Sequence, residues 1–462
     1  MKILLVVYDN DSYIHWFPQG LAYIAAVLLK NGHDVTVYNQ DMNHYPEEHL
    51  TDYLNKNVFD VVGVGVIAGY YQYRKLLRIS DAINRSKNRP VYVIGGHGPS
   101  PEPEYFLRKT KADFAILGEG EITAVELMET LSKKRSPSGI KGIAYREDEK
   151  VTVNEKRELV MDIDSIPFPA YKIFPMEYYR LLRLPHCKNK DFAIPLLSGR
   201  GCTFKCNFCY RMDEGFRPRC NEAIIEEIEF LKKDYGITYI AFSDELLMSS
   251  AKRTFNLCEA FIKSGLNIRW SCNGRLNYAR PDVLEVMKKA GCVFINYGIE
   301  AMDDRILKNM QKALTTEQIT KGIEATLAAE ISPGFNIIFG NIGENAETLR
   351  KGVDFLLKYD DGAQLRNIRP VTPYPGSPLY YYAIKQGLLK DCEDFYENKH
   401  INSDLLAVNF TDMTDDEFHE ALFKANKRLL ENYFQKKLCG AIEDAKNLYM
   451  NKNKDFRGFR QD

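Results

Sequence analysis

Three cysteines stand close together, Cys202, Cys206 and Cys209, in the stretch GRGCTFKCNFCYR. The spacing C-x3-C-x2-C lets three thiolates close on one soft metal centre. A structural zinc site is normally completed by four protein ligands, often as two separated pairs. An iron–sulfur cluster held only by protein thiolates also needs a fourth cysteine. The nearest others are Cys187 and Cys220, and neither makes a standard pair with the three. Two readings follow. Either Cys187 or Cys220 completes a zinc site, or the trio holds a 4Fe-4S cluster with one iron left open for a small-molecule ligand. The second reading explains why the motif stops at three.

The loop must be positioned by something, and the flanking pattern says what. Over residues 1–135 short apolar runs alternate with helical stretches. Strands are expected at Ile3–Tyr8, Asp34–Asn39, Val61–Ile67, Val91–Ile94 and Phe114–Leu117. Helices are expected at Gln19–Lys30, Pro46–Asn55, Gln72–Arg85, Glu102–Lys109 and Glu121–Lys133. Such alternation implies parallel pairing with right-handed crossovers, a doubly wound sheet. Sheets of this kind bind ligands outside the carboxyl ends of their strands. Gly69, Gly95-Gly96 and Gly118-Glu119-Gly120 fall at those ends, where glycine lets backbone approach a ligand closely. Their repetition at one end points to a large flat ligand.

Residues 136–190 break the pattern. SPSGIKGIAYREDEKVTVNEK reads as a small hairpin turning near Glu147–Lys150, and DIDSIPFPAYKIFP carries three prolines that disfavour regular structure. This segment is expected to be a linker strap. Alternation resumes over 191–385, with strands at Ala193–Leu197, Tyr239–Phe242, Ile268–Cys272, Val293–Gly298, Gly334–Phe339 and Gln364–Ile368. Helices fall at Glu222–Tyr235, Ala251–Lys263, Pro281–Ala290, Thr316–Ala329 and Ala346–Tyr359. Six β/α units imply a partial barrel, and in β/α barrels the loops at the carboxyl ends of strands carry the chemistry. The cysteine loop directly follows the first of these strands. Residues 386–462 read as charged and helical, for example Asp415–Lys436, and are expected to end in a mobile tail, KNKDFRGFRQD. The fold class is therefore α/β: an N-terminal doubly wound, Rossmann-like sheet, a partial (β/α)6 barrel and a small helical C-terminal region.

C-x3-C-x2-C with Phe208 before the last cysteine resembles the signature of the radical S-adenosylmethionine superfamily. The resemblance implies that Cys202, Cys206 and Cys209 ligate a 4Fe-4S cluster whose open iron chelates S-adenosylmethionine. One electron then splits the sulfonium to methionine and a 5′-deoxyadenosyl radical. Further segments match in order. FSDELL places Asp244 and Glu245 where the superfamily holds the amino group, and SCNGR offers Arg275 to the carboxylate. YGIEA offers Glu300, and IIFGNIGE, with Gly340 and Asn341, resembles the G-x-P-G-E segment that borders the adenine, with Ile342 replacing the proline. TPYPGSPLY (Thr372–Tyr380) also resembles a segment of this group.

The first domain is similar to that of the cobalamin-binding subgroup, on FPQGLAYIAAVLLKNGHDVTVYN, GGHGPSPEPE and ADFAILGEGE. The resemblance spans nearly all of 1–385. It implies a corrinoid between the two domains, contacted by Gln19, Gly20, Leu21, Gly95, Gly96, His97, Gly118 and Glu119. The D-x-H-x-x-G motif that supplies a lower axial histidine elsewhere is absent, and none of His15, His33, His44, His49 and His97 stands in it. The function implied is radical methyl transfer to an unactivated carbon, or to phosphorus, of a small molecule. Radical oxidative cyclisation or rearrangement, as in the anaerobic Mg-protoporphyrin ester cyclase, is the alternative within the same machinery. A radical enzyme whose first domain binds no cobalamin is a further one, and a non-enzymatic iron–sulfur or zinc scaffold lies outside the class. Flavodoxin or ferredoxin is the expected electron donor.

The bulk composition is consistent with this. A net charge of −1 gives no general attraction to nucleic acid or acidic membrane. No apolar run reaches the roughly eighteen residues of a membrane span. The opening MKILLVVY reads as a buried strand, and ten cysteines without a secretion signal fit a reducing compartment, the cytoplasm. Cys258, Cys272, Cys292, Cys392 and Cys439 read as small buried hydrophobes, with Cys272 at a strand end. Tyr70, Tyr71, Tyr73 and Tyr380–Tyr382 are candidates to line a pocket.

Overall fold

The computed structural model describes residues 1–9, 11, 16–148, 150–184, 186–212 and 214–455. His15 and the tail from residue 456 lie outside the described residues. Seven strands form the first sheet: β1 (Lys2–Val7), β2 (Asp34–Asn39), β3 (Val61–Gly65), β4 (Val91–Gly95), β5 (Phe114–Ile116), β6 (Ile143–Glu147) and β7 (Lys150–Val153). Their order is β2-β1-β3-β4-β5-β6-β7, parallel through β5. The hairpin of the expected strap, β6–β7, adds to this sheet antiparallel, with Phe114 opposite Tyr145 and Ile116 opposite Ile143. Ile143, Ala144 and Tyr145 are buried, so the apolar half of the hairpin is satisfied only against the sheet.

The second sheet takes β8 (Ala193–Leu196), β11 (Tyr239–Phe242), β12 (Arg269–Gly274), β13 (Cys292–Glu300), β14 (Ser332–Phe339) and β15 (Arg369–Pro370), all parallel and in sequence order. A two-stranded ribbon, β9 (Gly199–Arg200) and β10 (Arg217–Pro218), brackets the cysteine loop. The six-stranded arc is the partial barrel expected. Its helices run at Asn221–Tyr235, Ala251–Ser264, Pro281–Lys289, Thr316–Ala328 and Ala346–Tyr359. The last strand differs from expectation. Gln364–Ile368 does not pair, because both backbone groups of Ile368 are taken by the Asn426 side chain, at 2.8 and 2.9 Å. Arg366 is held by Asp360 and Asp361, and only Arg369–Pro370 reaches β14.

The C-terminal helix runs Asp415–Tyr449, longer than expected, and buries Phe418, Leu422, Ala425 and Leu429 against the barrel. Residues ahead of it return to the first sheet. Tyr380, Phe395, Tyr396, Ala407 and Val408 share a core with Tyr73, Leu76 and Phe106. Tyr380, Tyr73 and Tyr396 are thus core residues, whereas Tyr71, Tyr381 and Tyr382 are exposed. Among the described residues, no helix is long and apolar enough to cross a membrane.

Candidate active site

The carboxyl ends of the two sheets face one another. The Oγ of Ser243, just past β11, donates to Gln19 Oε1 at 2.8 Å. His97 after β4 stands edge-on to Tyr210, next to Cys209, with ring centroids 6.2 Å apart. Gly376 wedges between Tyr210 and Pro101. A Cβ there would lie 2.5 Å from one ring and 2.7 Å from the other, and its φ of +90° suits glycine.

On the barrel side the cysteine loop is built tightly. Cys206 is buried, while Cys202 and Cys209 are half-buried. A hydrogen bond from the Cys209 thiol, aided by the Lys312 and Arg275 cations, pulls the Cys206 thiol below its usual range against its burial. Arg275 lays its guanidinium 3.4 Å above the Phe204 ring and donates from Nε to Asn277 at 2.9 Å. Its Nη2 is buried without a partner. Lys312 pairs with Glu300 at 2.8 Å, both buried, and lies 5.8 Å over the Phe208 ring. Glu300 has φ +68°, at a register shift in β13. Such a conformation costs a non-glycine residue roughly 1–3 kcal/mol and is held only where its surroundings dictate it.

The two carboxylates after β11 diverge. Both oxygens of Asp244 accept from Ser198, one from its backbone N–H at 2.6 Å and the other from its hydroxyl. Burial raises the Asp244 carboxyl to about 6 in spite of those bonds. Its group is turned away from solvent. Glu245 is exposed and accepts from the Gly201 N–H at 3.1 Å, directly before Cys202. Behind them runs an amide ladder. Asn336 donates to Asn296 at 3.0 Å, Asn296 to Asn273 at 3.0 Å, and Asn273 to the Asp244 carbonyl at 2.8 Å. After β14, Gly340 and Asn341 both donate backbone N–H groups to Glu344, at 2.8 and 2.9 Å. Burial lifts the Glu344 carboxyl to about 8.

On the first-sheet side, Gln19 begins the helix Gln19–Lys30 and its Nε2 is buried without a partner. Gly20 and Gly118 have nothing within 4 Å of where a Cβ would stand. Leu21 packs toward Gly65, and Gly95 ends β4. Gly96 has φ +105°, and a Cβ there would sit 2.6 Å from the Val66 carbonyl oxygen. Trp16 and Ile67 are exposed, 42% and 56%. Glu119 does not face this space. It accepts from Arg200 and Arg217 at 2.8 Å each and from the Val160 N–H at 2.9 Å. Burial opposes its ionisation, but Arg217 and Arg200 hold the carboxyl below its usual range.

The extra cysteines are elsewhere. Cys187 packs with Ala193 and Tyr239 at the amino ends of β8 and β11. Cys220 caps the helix Asn221–Tyr235, accepting from Ala223 at 3.4 Å. Among the described residues no group of three or more His, Cys, Asp or Glu side chains, the trio included, is placed to hold a single metal ion.

Comparison with known proteins settles the family. Residues 196–356 match the radical SAM superfamily and residues 6–128 the B12 binding domain. An uncharacterized methyltransferase of Pyrococcus horikoshii is 31% identical over 402 residues, 84% of each chain. The chain belongs to the cobalamin-binding radical S-adenosylmethionine enzymes. The anaerobic magnesium-protoporphyrin IX monomethyl ester cyclase of Rubrivivax gelatinosus is 28% identical over 377 residues, 79% of this chain and 66% of its own. The radical S-adenosylmethionine methyltransferase TsrM of Kitasatospora setae, solved with cobalamin and a 4Fe-4S cluster, superposes with a TM-score of 0.75 at 17% identity. That match covers 93% of this chain and 88% of TsrM, and it shows the shared fold.

The family's cofactors are a 4Fe-4S cluster, S-adenosylmethionine and cobalamin, and the residues present fit them. Three thiols without a fourth, beside a buried arginine with an unpartnered nitrogen, suit a cluster with an anionic ligand. Glycine-lined space with an unpartnered buried amide nitrogen and exposed apolar neighbours suits a corrinoid. Several residues of the site have no sequence signal of their own: Lys312, Phe204, Ser198 and the amide ladder. Glu344 did have one, in the E of GNIGE.

Proposed function

We propose that this protein is a cobalamin-dependent radical methyltransferase acting on a small molecule. One observation carries the reading. The trio of cysteines lies at the carboxyl end of the barrel's first strand, and the two nearest spare cysteines are committed elsewhere. Cys202, Cys206 and Cys209 would hold the cluster through three irons. Bound together, the cluster, S-adenosylmethionine and cobalamin supply one-electron cleavage to a 5′-deoxyadenosyl radical and a carrier for the methyl group.

The chain's own residues orient and shield. Glu245 is the carboxylate placed to accept from an ammonium, since Asp244 is spent on Ser198. The free Nη2 of Arg275 is available to a carboxylate, and burial makes that pairing strong. Glu300, fixed by Lys312, would offer its second oxygen to a ribose hydroxyl, while Phe208 and the Gly340–Asn341 backbone would flank the adenine. Gln19, Gly20, Leu21, Gly95, Gly96, His97 and Gly118 line the corrinoid side; Glu119 instead ties the two domains together. A flavodoxin or ferredoxin delivers the electron, and the cytoplasm is the compartment that keeps such a centre reduced.

The test is anaerobic turnover with methyl-labelled S-adenosylmethionine and a reductant. The reading expects 5′-deoxyadenosine and a methylated product carrying the label. Absence of 5′-deoxyadenosine overturns it. An unlabelled, oxidised or rearranged product favours the second reading, which rests on the similarity to the ester cyclase.

A further inference from the structure

Asn207 sits between the second and third cysteines, at a position no ligand role requires. It is buried, and every polar group it has is used. Its N–H donates to the Met310 carbonyl at 2.9 Å, and its carbonyl accepts from the Leu379 N–H at 2.8 Å. Its side chain forms a reciprocal amide pair with Asn341. Asn207 Nδ2 donates to Asn341 Oδ1 at 3.2 Å, and Asn341 Nδ2 donates back to Asn207 Oδ1 at 3.0 Å. Asn207 Nδ2 also reaches the Asn309 carbonyl at 3.2 Å. Asn341 is fully buried, and its Oδ1 receives the Ile342 N–H at 2.8 Å.

We propose that Asn207 and Asn341 are a positioning pair that sets the register between the cysteine loop and the Gly340–Asn341 segment, and so between the open cluster corner and the nucleoside end of S-adenosylmethionine. The inference rests on the cluster reading above. It follows from geometry: Asn207 lies within three residues of both Cys206 and Cys209, and Asn341 adjoins the backbone pinned by Glu344. Two amides that satisfy each other allow one spacing only, because either displaced partner leaves a buried donor and acceptor unpaired. Leu379 extends the device. It is the second residue of the helix Pro378–Lys385, whose Tyr380 hydroxyl donates to Glu102 of the first domain at 3.1 Å.

The experiment compares wild type with Asn207→Ala, Asn341→Ala, the double variant, and the isosteric Asn207→Asp. Iron content and the electron paramagnetic resonance signal of the reduced cluster are recorded with and without S-adenosylmethionine, alongside 5′-deoxyadenosine kinetics. The expected result is wild-type iron in each variant. The S-adenosylmethionine-induced spectral change should shift to about tenfold higher concentration, with KM rising more than kcat falls, as for one lost buried contact. The double variant should be no worse than a single one. Asn207→Asp covers the case in which the alanine variants fail to fold, and it should shift in the same direction. Wild-type titrations in the variants, or additive effects, overturn the pair. Iron lost in step with the response also overturns it, since the pair would then hold the cluster rather than its register. If wild type itself shows no cluster, the cluster reading has failed instead.

Discussion

At the carboxyl end of the barrel, charged and amide side chains are buried and paired: Glu300 with Lys312, Asp244 with Ser198, Asn207 with Asn341. At the carboxyl end of the first sheet, the same strand–loop logic ends in glycine, open space and exposed Trp16 and Ile67. The first arrangement is costly unless every partner is in place, so it fixes one arrangement of its own side chains. The second leaves backbone and apolar surface for a broad ligand to cover, and demands little of any single residue. Mutations should therefore act sharply at the barrel end and gradually at the other.

The largest effect is expected at Cys206. Cys206→Ala should remove the cluster and lower 5′-deoxyadenosine formation to background, while circular dichroism stays unchanged. Retained cleavage would break the contrast at its strongest point. Next is Lys312→Ala, which strands the buried Glu300 carboxylate. Breaking such a pair costs roughly 3–5 kcal/mol, readable as a fall in urea midpoint of the cofactor-free protein. Glu300→Gln keeps an acceptor for Lys312 and should cost less.

Two glycines sharpen the other side. Gly96→Ala must push a Cβ against the Val66 carbonyl at a φ of +105°, so folding yield should drop. Gly20→Ala meets nothing within 4 Å. It should stabilise the helix by about 0.5–1 kcal/mol yet weaken corrinoid retention, measured by cobalt content and visible absorption. Unchanged retention would mean that this face is not covered by the ligand.

The most gradual effect, spread over several pH units, concerns pH. The Glu344 carboxyl lies near 8 in the fold against 4.5 when exposed, so the native state binds its proton more tightly. Its contribution to stability is full below about 4.5 and is lost as pH rises through about 8. Glu344→Gln should flatten that decline in Tm, and an unaltered slope would assign it to other groups.

The alternation of apolar runs and helices made both sheets legible, because period and turn chemistry are local properties. The cysteine loop was legible for the same reason: its spacing is itself the signal. Where the chain reads itself at long range, the sequence is silent. Ile368 looks like a strand residue but its backbone is taken by Asn426. The hairpin at Ile143–Val153 looks detached until its pairing with β5 is seen. Glu119 follows a ligand-type glycine, yet Arg200 and Arg217, far along the chain, claim it. Asp244 and Glu245 are neighbours of equal chemistry, and only the position of Ser198 separates them. Lys312 carries no motif, and Asn207, though inside the cysteine motif, shows its role only through Asn341 and Leu379, partners distant in sequence.

The central claim is that one iron corner has no protein ligand. Mössbauer spectroscopy of anaerobically prepared protein enriched in iron-57, with and without S-adenosylmethionine, tests it directly. The account predicts a 4Fe-4S cluster in which a single iron site changes its parameters when S-adenosylmethionine is added. Four irons that ignore the addition, or a zinc ion saturated by thiolates in place of iron, would contradict it.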